Sequence, residues 1–321
     1  MKRIKVSGAT AVYHCIARIV GGEIVLGDEE KERFRKLMWQ LAEFSEIEII
    51  TYCLMGNHVH LLVRAPSSVS LSDAELCRRV VTYYGRREPW VQLLDQEFRR
   101  TGVINPQLRK RLLARMGDVS VFMRTLKQRF SRWYNRRNKR FGTLWAERFK
   151  SLLVEDHSES LRTVAMYIDL NPVRAGLVDD PKDYRFCGHA EAVVGNKKIR
   201  RNTVAMCEGN NWRSARGEYR SVMMVYAADE DRGDRRSISR NQLLRVLEKG
   251  GDLDRPEVLR LRLRHLTDGV VLGSREFVEE VFAEFRDRFG CRREQGAKPI
   301  RMGRGIGELH TVRDLKKSTV S

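Results

Sequence analysis

The stretch Asn57-His58-Val59-His60-Leu61-Leu62-Val63 reads as a β-strand that presents two imidazoles on one side. Side chains alternate along a strand, so His58 and His60 share a face while Val59, Leu61 and Val63 share the other. The apolar face can cover a core. The opposite face carries two ring-nitrogen ligands, neutral at pH 7 and about 7 Å apart at Cα, a separation at which both can grip one divalent cation. A pair of half-exposed, hydrogen-bonded polar histidines is the ordinary alternative, and partners elsewhere in the chain must decide between the two readings.

Working outward, Ala11 to Val20 alternates through Val12, His14, Ile16 and Arg18 and closes at Gly21-Gly22, the pattern of a strand and turn. Asp28-Glu29-Glu30-Lys31-Glu32 opens a helix, with Asp28 as the expected N-cap and Phe34, Leu37, Met38 and Leu41 on one face. Ile47 to Met55 is a second strand, joined to the histidine strand by a Gly56-Asn57 turn. Strand, helix, strand, tight turn, strand is the opening of a ferredoxin-like or RRM-like α+β fold, an antiparallel sheet with helices on one face.

Downstream, Ser70 to Arg87 has the spacing of a helix capped by Ser72 or Asp73, with Tyr83-Tyr84 read as packing residues. Ser120 to about Arg137 is an amphipathic helix whose apolar side holds Val121, Phe122, Leu126, Phe130 and Trp133. Phe149 to Val154 reads as a strand, and Asp156-His157-Ser158-Glu159 resembles a capping box that starts a helix running to Asn171, where Pro172 stops it. Tyr167 and Asn171 lie four apart and share an edge of that helix. Taken alone, Tyr167 is an amphipathic core tyrosine and Asn171 a residue that satisfies loose carbonyls.

The charge balance narrows the partner. The 321 residues hold 61 Lys and Arg against 42 Asp and Glu, a formal net charge of +19. An excess of one sign this large points to nucleic acid ahead of an anionic membrane surface, since no basic amphipathic anchor stands out. The excess is concentrated. Between 107 and 150 stand fourteen basic residues and two acidic ones, Asp118 and Glu147, and Arg124, Lys127, Arg132, Arg136, Arg137, Lys139, Arg140, Arg148 and Lys150 are the expected phosphate contacts. No apolar run approaches the roughly 20 residues of a membrane span, and Met1-Lys2-Arg3-Ile4-Lys5 is followed by no signal-peptide hydrophobic region, so a cytoplasmic, nucleoid-associated protein is expected. The six cysteines form no CxxC pair and are expected to be reduced packing residues.

Read together, these pieces resemble the single-tyrosine HUH transposases, in particular the REP-associated tyrosine transposases. The resemblance rests on Tyr13-His14, Met55-Gly56-Asn57-His58-Val59-His60-Leu61-Leu62-Val63, Trp133-Tyr134-Asn135-Arg136-Arg137, Gly142-Thr143-Leu144-Trp145 with Arg148-Phe149-Lys150-Ser151, and Tyr167-Ile168-Asp169-Leu170-Asn171-Pro172-Val173-Arg174-Ala175-Gly176. They occur in the family's order over about residues 8 to 190. Two departures are a longer region 66–119 and Cys187-Gly188 where the family often has two serines.

The resemblance implies an HUH core with helices and a definite chemistry. His58, His60 and Asn171 would hold Mg²⁺ or Mn²⁺ at the scissile phosphate of single-stranded DNA beside a hairpin, and Tyr167 would attack phosphorus to give a 5′-phosphotyrosyl enzyme and a free 3′-OH. Tyr134 is a second phenol, but the motif assigns the nucleophile to Tyr167. A homodimer is admitted as a partner state, with Tyr167 serving its own site or that of a second copy. A histidine-triad hydrolase would need a third histidine where Leu62 stands. The alternative of another class is a non-catalytic hairpin DNA- or RNA-binding protein or repressor, which has no use for a metal cage beside a phenol.

The expected organisation is a transposase domain over 1–190 with an insertion at about 66–119, a linker over 191–240, and a helical accessory region over 241–321 with a basic tail. Helices are expected at Asn241 to Glu248, Pro256 to Leu266 and Ser274 to Phe289, the last capped by Ser274. With every motif placed before 190, a chain ending after Ala205 is expected to fold.

Overall fold

The computed structural model describes residues 3–6, 8–207, 209–229, 269–291, 293–300, 309–313 and 315. Its centre is the antiparallel sheet anticipated from the histidine strand. β1 (Ala11–Arg18) lies between β3 (His58–Ala65) and β4 (Lys150–Val154), and β2 (Glu48–Leu54) pairs with the outer side of β3. The β2–β3 turn closes with Met55 N–H donating to the His58 carbonyl at 2.9 Å.

The register sorts the strand residues onto two faces. Tyr52 opposes Leu61 and Leu54 opposes Val59, and this apolar face meets α1 (Asp28–Ser45), where Trp39 stands edge-on to Tyr52 at 6.4 Å. α1 in turn packs on α5 (Val119–Arg137) through Phe34 and Phe130, 5.2 Å apart. Thr51 opposes Leu62 and Cys53 opposes His60 on the other face. α6 (Ser158–Asp169) packs there against β2 and β3, so helices cover both sides of the sheet and bring a helix onto the histidines.

Local signals placed most elements to within a residue or two. Asp118 caps α5, its carboxylate accepting from Ser120 N–H and Val121 N–H. Two caps differ from expectation. Gly27 rather than Asp28 occupies the N-cap of α1, and Asp28, Glu29 and Glu30 act through the dipole of the first turn. The anticipated capping box at 156–159 does not form; His157 is the N-cap with no side-chain bond, because Asp156 is held by Arg64 at 2.7 and 2.8 Å.

The insertion 66–119 folds as three helices, α2 (Asp73–Tyr84, capped by Ser72), α3 (Pro89–Thr101) and α4 (Pro106–Leu113). Tyr83 and Tyr84 pack, as expected: Tyr83 stacks on Phe44 at 4.5 Å and Tyr84 meets Trp90 at 4.7 Å.

Beyond residue 170 the organisation differs from expectation. Pro172 does more than stop α6, since it opens a short helix, α7 (Asn171–Arg174). The stretch expected as a linker carries the end of α8 (Gly188–Val193), then α9 (Lys197–Met206) and α10 (Trp212–Asp229). α9 lies along β2, with Asn202 Nδ2 donating to the Ile49 carbonyl at 3.1 Å. The accessory region is not purely helical either. β5 (Val271–Gly273) pairs in parallel with β4 and continues through β7 (His310–Val312) to β6 (Lys298–Pro299), giving, among the described residues, a seven-stranded sheet ordered β2-β3-β1-β4-β5-β7-β6. α11 (Arg275–Glu284) follows β5 and is capped by Ser274, as expected. The helices anticipated at 241–248 and 256–266 lie outside the described residues. The described cysteines are free, and no helix among the described residues is long and apolar enough to cross a membrane.

Candidate functional site

β3 places His58 and His60 on one face as the alternation requires, with ring centroids 4.9 Å apart. A third imidazole joins them. His14, 1% exposed on β1, stacks on His60 at 5.2 Å and sets its Nε2 2.9 Å from His60 Nδ1. His58 Nδ1 lies 2.7 Å from Asn57 Oδ1. A carboxamide oxygen can only accept, so His58 carries its proton on Nδ1 and leaves Nε2 bare. Burial pushes the His58 pKa down to about 4 and that of His60 well below its ordinary value, which keeps both rings neutral at pH 7.

α6 brings Tyr167 over these rings, its own ring 6.0 Å from His14 and 5.9 Å from His60. The phenol is 6% exposed. At the end of the helix Asn171 Nδ2 donates to the Tyr167 and Ile168 carbonyls at 2.9 and 3.2 Å. The ordinary role of a helix-terminal asparagine is therefore filled, by the nitrogen end of the amide, while Oδ1 is the end suited to a cation. Arg174 donates to the Tyr167 carbonyl at 2.7 Å and sets its guanidinium 4.7 Å over the Tyr167 ring.

Asp169, between Tyr167 and Asn171, anchors this helix end to three other elements. It accepts from Thr51 Oγ1 of β2 at 2.8 Å, from Tyr219 OH of α10 at 2.8 Å, and from His189 N–H of α8 at 3.3 Å. Burial lifts its pKa to about 7 against these three donors. The close approach needs Gly188, where a Cβ would stand 2.0 Å from Thr51 Oγ1. Cys187 caps α8 with sulfur: its Sγ accepts from Ala190 N–H at 3.4 Å.

The donor set fits a divalent cation. With Nδ1 of His58 and of His60 already engaged, each ring has Nε2 to offer, and Asn171 has its amide oxygen; two imidazoles and an oxygen suit Mn²⁺ and Mg²⁺. Among the described residues no group of three or more His, Cys, Asp or Glu is arranged to hold a metal, so any cation here would rest on an amide as well.

The basic residues divide. Arg124, Lys127, Arg132 and Arg148 line a cleft of about 690 Å³ between α5 and the 142–149 segment, together with Arg3 and Trp145. Lys127 donates to the Glu147 carbonyl at 2.7 Å, and burial lowers its pKa to about 8. Arg136, Arg137, Lys139 and Arg140 are not part of this lining, and Arg137 pairs with Glu29 at 2.5 Å. Lys150 stands opposite Ile16, which itself opposes His60, and so belongs to the histidine face. The cleft connects to the histidines through backbone. Ala146 N–H donates to the Arg18 carbonyl at 3.0 Å, and Arg18 is the register partner of His58.

In the sequence His14 and Arg174 stand only as parts of motifs, with no role of their own. The alternation of β1 carries the signal for His14, since Val12, His14 and Ile16 share one face. Asp169 gave no such signal, because its partners stand 118 and 50 residues away.

Residues 8–79 match the family described as "Transposase IS200 like". No curated protein matches the chain. Among solved structures it is similar to one described as "Structure of the REP associates tyrosine transposase bound to a REP hairpin", at 15% identity and a TM-score of 0.40, covering 61% of this chain and 85% of that one. The family match spans β1, α1, β2, β3 and the first part of α2 and includes His14, His58 and His60, so over this segment the chain is similar to IS200-like transposases, the assignment that its motifs carry.

Proposed function

We propose that the protein cleaves and rejoins single-stranded DNA beside hairpin elements, with Tyr167 as nucleophile. The phenol loses its proton and its oxygen attacks the scissile phosphorus; the P–O3′ bond breaks, the 3′-oxygen takes up a proton, and the 5′ end stays on the enzyme as a phosphotyrosine. The ester is conserved in energy, so a different 3′-OH can reverse the step without a nucleotide cofactor. His58, His60 and Asn171 are the residues that would hold Mg²⁺ or Mn²⁺, which when bound supplies charge to neutralise a non-bridging oxygen and ease departure of the 3′-oxygen. Arg174 keeps the Tyr167 ring in place, and the basic cleft guides the strand. The observation that carries this reading is the meeting of Tyr167 with His14 and His60 at about 6 Å, with Asn171 on the same helix end.

The test is incubation with hairpin-bearing single-stranded oligonucleotides, with and without Mn²⁺. A covalent protein–DNA band that requires the metal and is lost in Tyr167→Phe is the expected result. One observation favours a second reading: a ring only 6% exposed packs like a structural tyrosine, as it would in a hairpin-binding protein without chemistry. Tight, salt-sensitive hairpin binding with no adduct under any metal would select that reading.

A further inference from the structure

His14 is the histidine that the proposed chemistry leaves without a task. It sits on β1 with Val12 and Ile16 on the same face, almost fully buried. A polar ring in that position is costly unless its nitrogens are used. Its Nε2 faces His60 Nδ1 at 2.9 Å, and only one proton can occupy that contact between neutral rings. The two placements of the proton have opposite consequences. If His14 donates, the proton of His60 must sit on Nε2 and close that nitrogen to a cation. If His14 accepts, His60 carries Nδ1–H and its Nε2 lone pair is bare.

His58 supplies the comparison. Asn57 Oδ1 accepts from its Nδ1 at 2.7 Å, which fixes the Nδ1–H form. An acceptor behind each ring would put both histidines of the pair in the same tautomer with the same nitrogen exposed, as ligating histidines require of the groups behind them.

From this geometry we infer that His14 is a positioning residue for metal binding: it accepts the Nδ1 proton of His60, fixes the ring by stacking, and so holds His60 Nε2 ready to ligate. The inference rests on the metal-assisted reading above and deepens it. It also gives His14 of the first-strand motif a physical role.

The experiment reads the metal-free, full-length protein first. Long-range ¹H–¹⁵N NMR of the histidine rings reports which nitrogen is protonated, and titration with Mn²⁺ followed by electron paramagnetic resonance reports affinity without any turnover. Wild type is expected to show His60 protonated at Nδ1. His14→Phe keeps a ring of similar bulk without an acceptor; His60 should move to the Nε2–H form and Mn²⁺ affinity should fall by about 10- to 100-fold. His14→Gln offers a side-chain oxygen and should restore both readouts toward wild type. A wild-type His60 carrying its proton on Nε2 overturns the inference, and this reading stands even if His14→Phe does not fold. Mn²⁺ binding of wild-type strength by His14→Phe overturns the role of His14 alone, whereas a wild-type protein that binds no Mn²⁺ overturns the metal-assisted reading as well.

Discussion

Asn171 shows how one side chain can serve structure and chemistry at once. Its nitrogen satisfies the Tyr167 and Ile168 carbonyls, and its oxygen is the end proposed for the cation. The two roles separate by substitution. Asn171→Asp removes the donor but keeps an oxygen with greater charge, so thermal stability should drop by the equivalent of about 1–2 kcal/mol while Mn²⁺ binding persists or tightens. Asn171→Ala should lose both. Equal loss of metal binding in the two variants would leave the amide with its structural role only. The phenols separate in the same way: Tyr167→Phe should fold, bind hairpins and form no adduct. Tyr134→Phe should form the adduct normally, because that half-buried ring stacks on Phe130 at 6.2 Å and not on the histidines. An adduct in Tyr167→Phe would move the nucleophile elsewhere. At this scale the sequence showed what alternation and helical spacing can show, the pairing of His58 with His60 and of Tyr167 with Asn171. The partners His14 and Asp169 depend on which strands and helices become neighbours, which no local pattern records.

At the scale of elements, α5 is the amphipathic helix that its spacing predicts, with a basic outer face, but its charges are not equivalent. Arg124 and Arg132 are exposed on the cleft, whereas Arg137 is paired with Glu29. Each single-strand phosphate contact releases about 0.7 counterion. Reversing both Arg124 and Arg132 to Glu should therefore reduce the slope of log affinity against log salt by about 1.4, and Arg137→Glu should change it less. The check is hairpin binding by fluorescence anisotropy across a salt series; equal effects at all three positions would detach DNA binding from the cleft. Helix ends were less legible than helix bodies. Asp156 has the composition of a cap but is drawn away by Arg64 of β3, a competition between a local bond and an ion pair 92 residues distant in the chain. The helices of 191–229 went unseen for a related reason. Part of their buried face is polar, Asn202 and Thr203 beside Ile199 and Met206 on α9 and Arg220 beside Ala215, Tyr219 and Met223 on α10, so the stretch resembles a linker in composition.

For the molecule as a whole, the described C-terminal residues are bound into the core that carries the candidate site. β5 adds directly to β4, and α10 reaches α6 through Tyr219 and Asp169. Strands of two or three residues have too little sequence to announce themselves, which is why no local pattern marks the sheet extension. A chain ending after Ala205, expected from the motif positions to fold, would lack α10 and β5. Such a chain loses Tyr219 from Asp169 and loses Arg220, whose guanidinium donates twice to the buried Asp180 carboxylate at 3.1 and 2.7 Å. Removing one partner of a buried ion pair costs about 3–5 kcal/mol, so Arg220→Ala in the full chain should show a loss of that order in urea unfolding. The pH dependence identifies the source. Burial raises the Asp180 pKa, but the hydrogen bonds and charge of Arg220, with Lys182 N–H, outweigh it and hold the carboxyl at about 2 against an ordinary 3.8. A depressed carboxylate contributes stability that is complete above about 3.8 and is lost as pH falls toward about 2. The gap between wild type and Arg220→Ala should thus be constant near neutral pH and close below about 4. Burial and the Arg220 charge hold His189 at about 4, so wild type also loses stability as pH falls from 6.5, and the comparison is read below that window. A gap that persists to pH 2 would assign the loss to packing around Arg220 and not to its charge on Asp180.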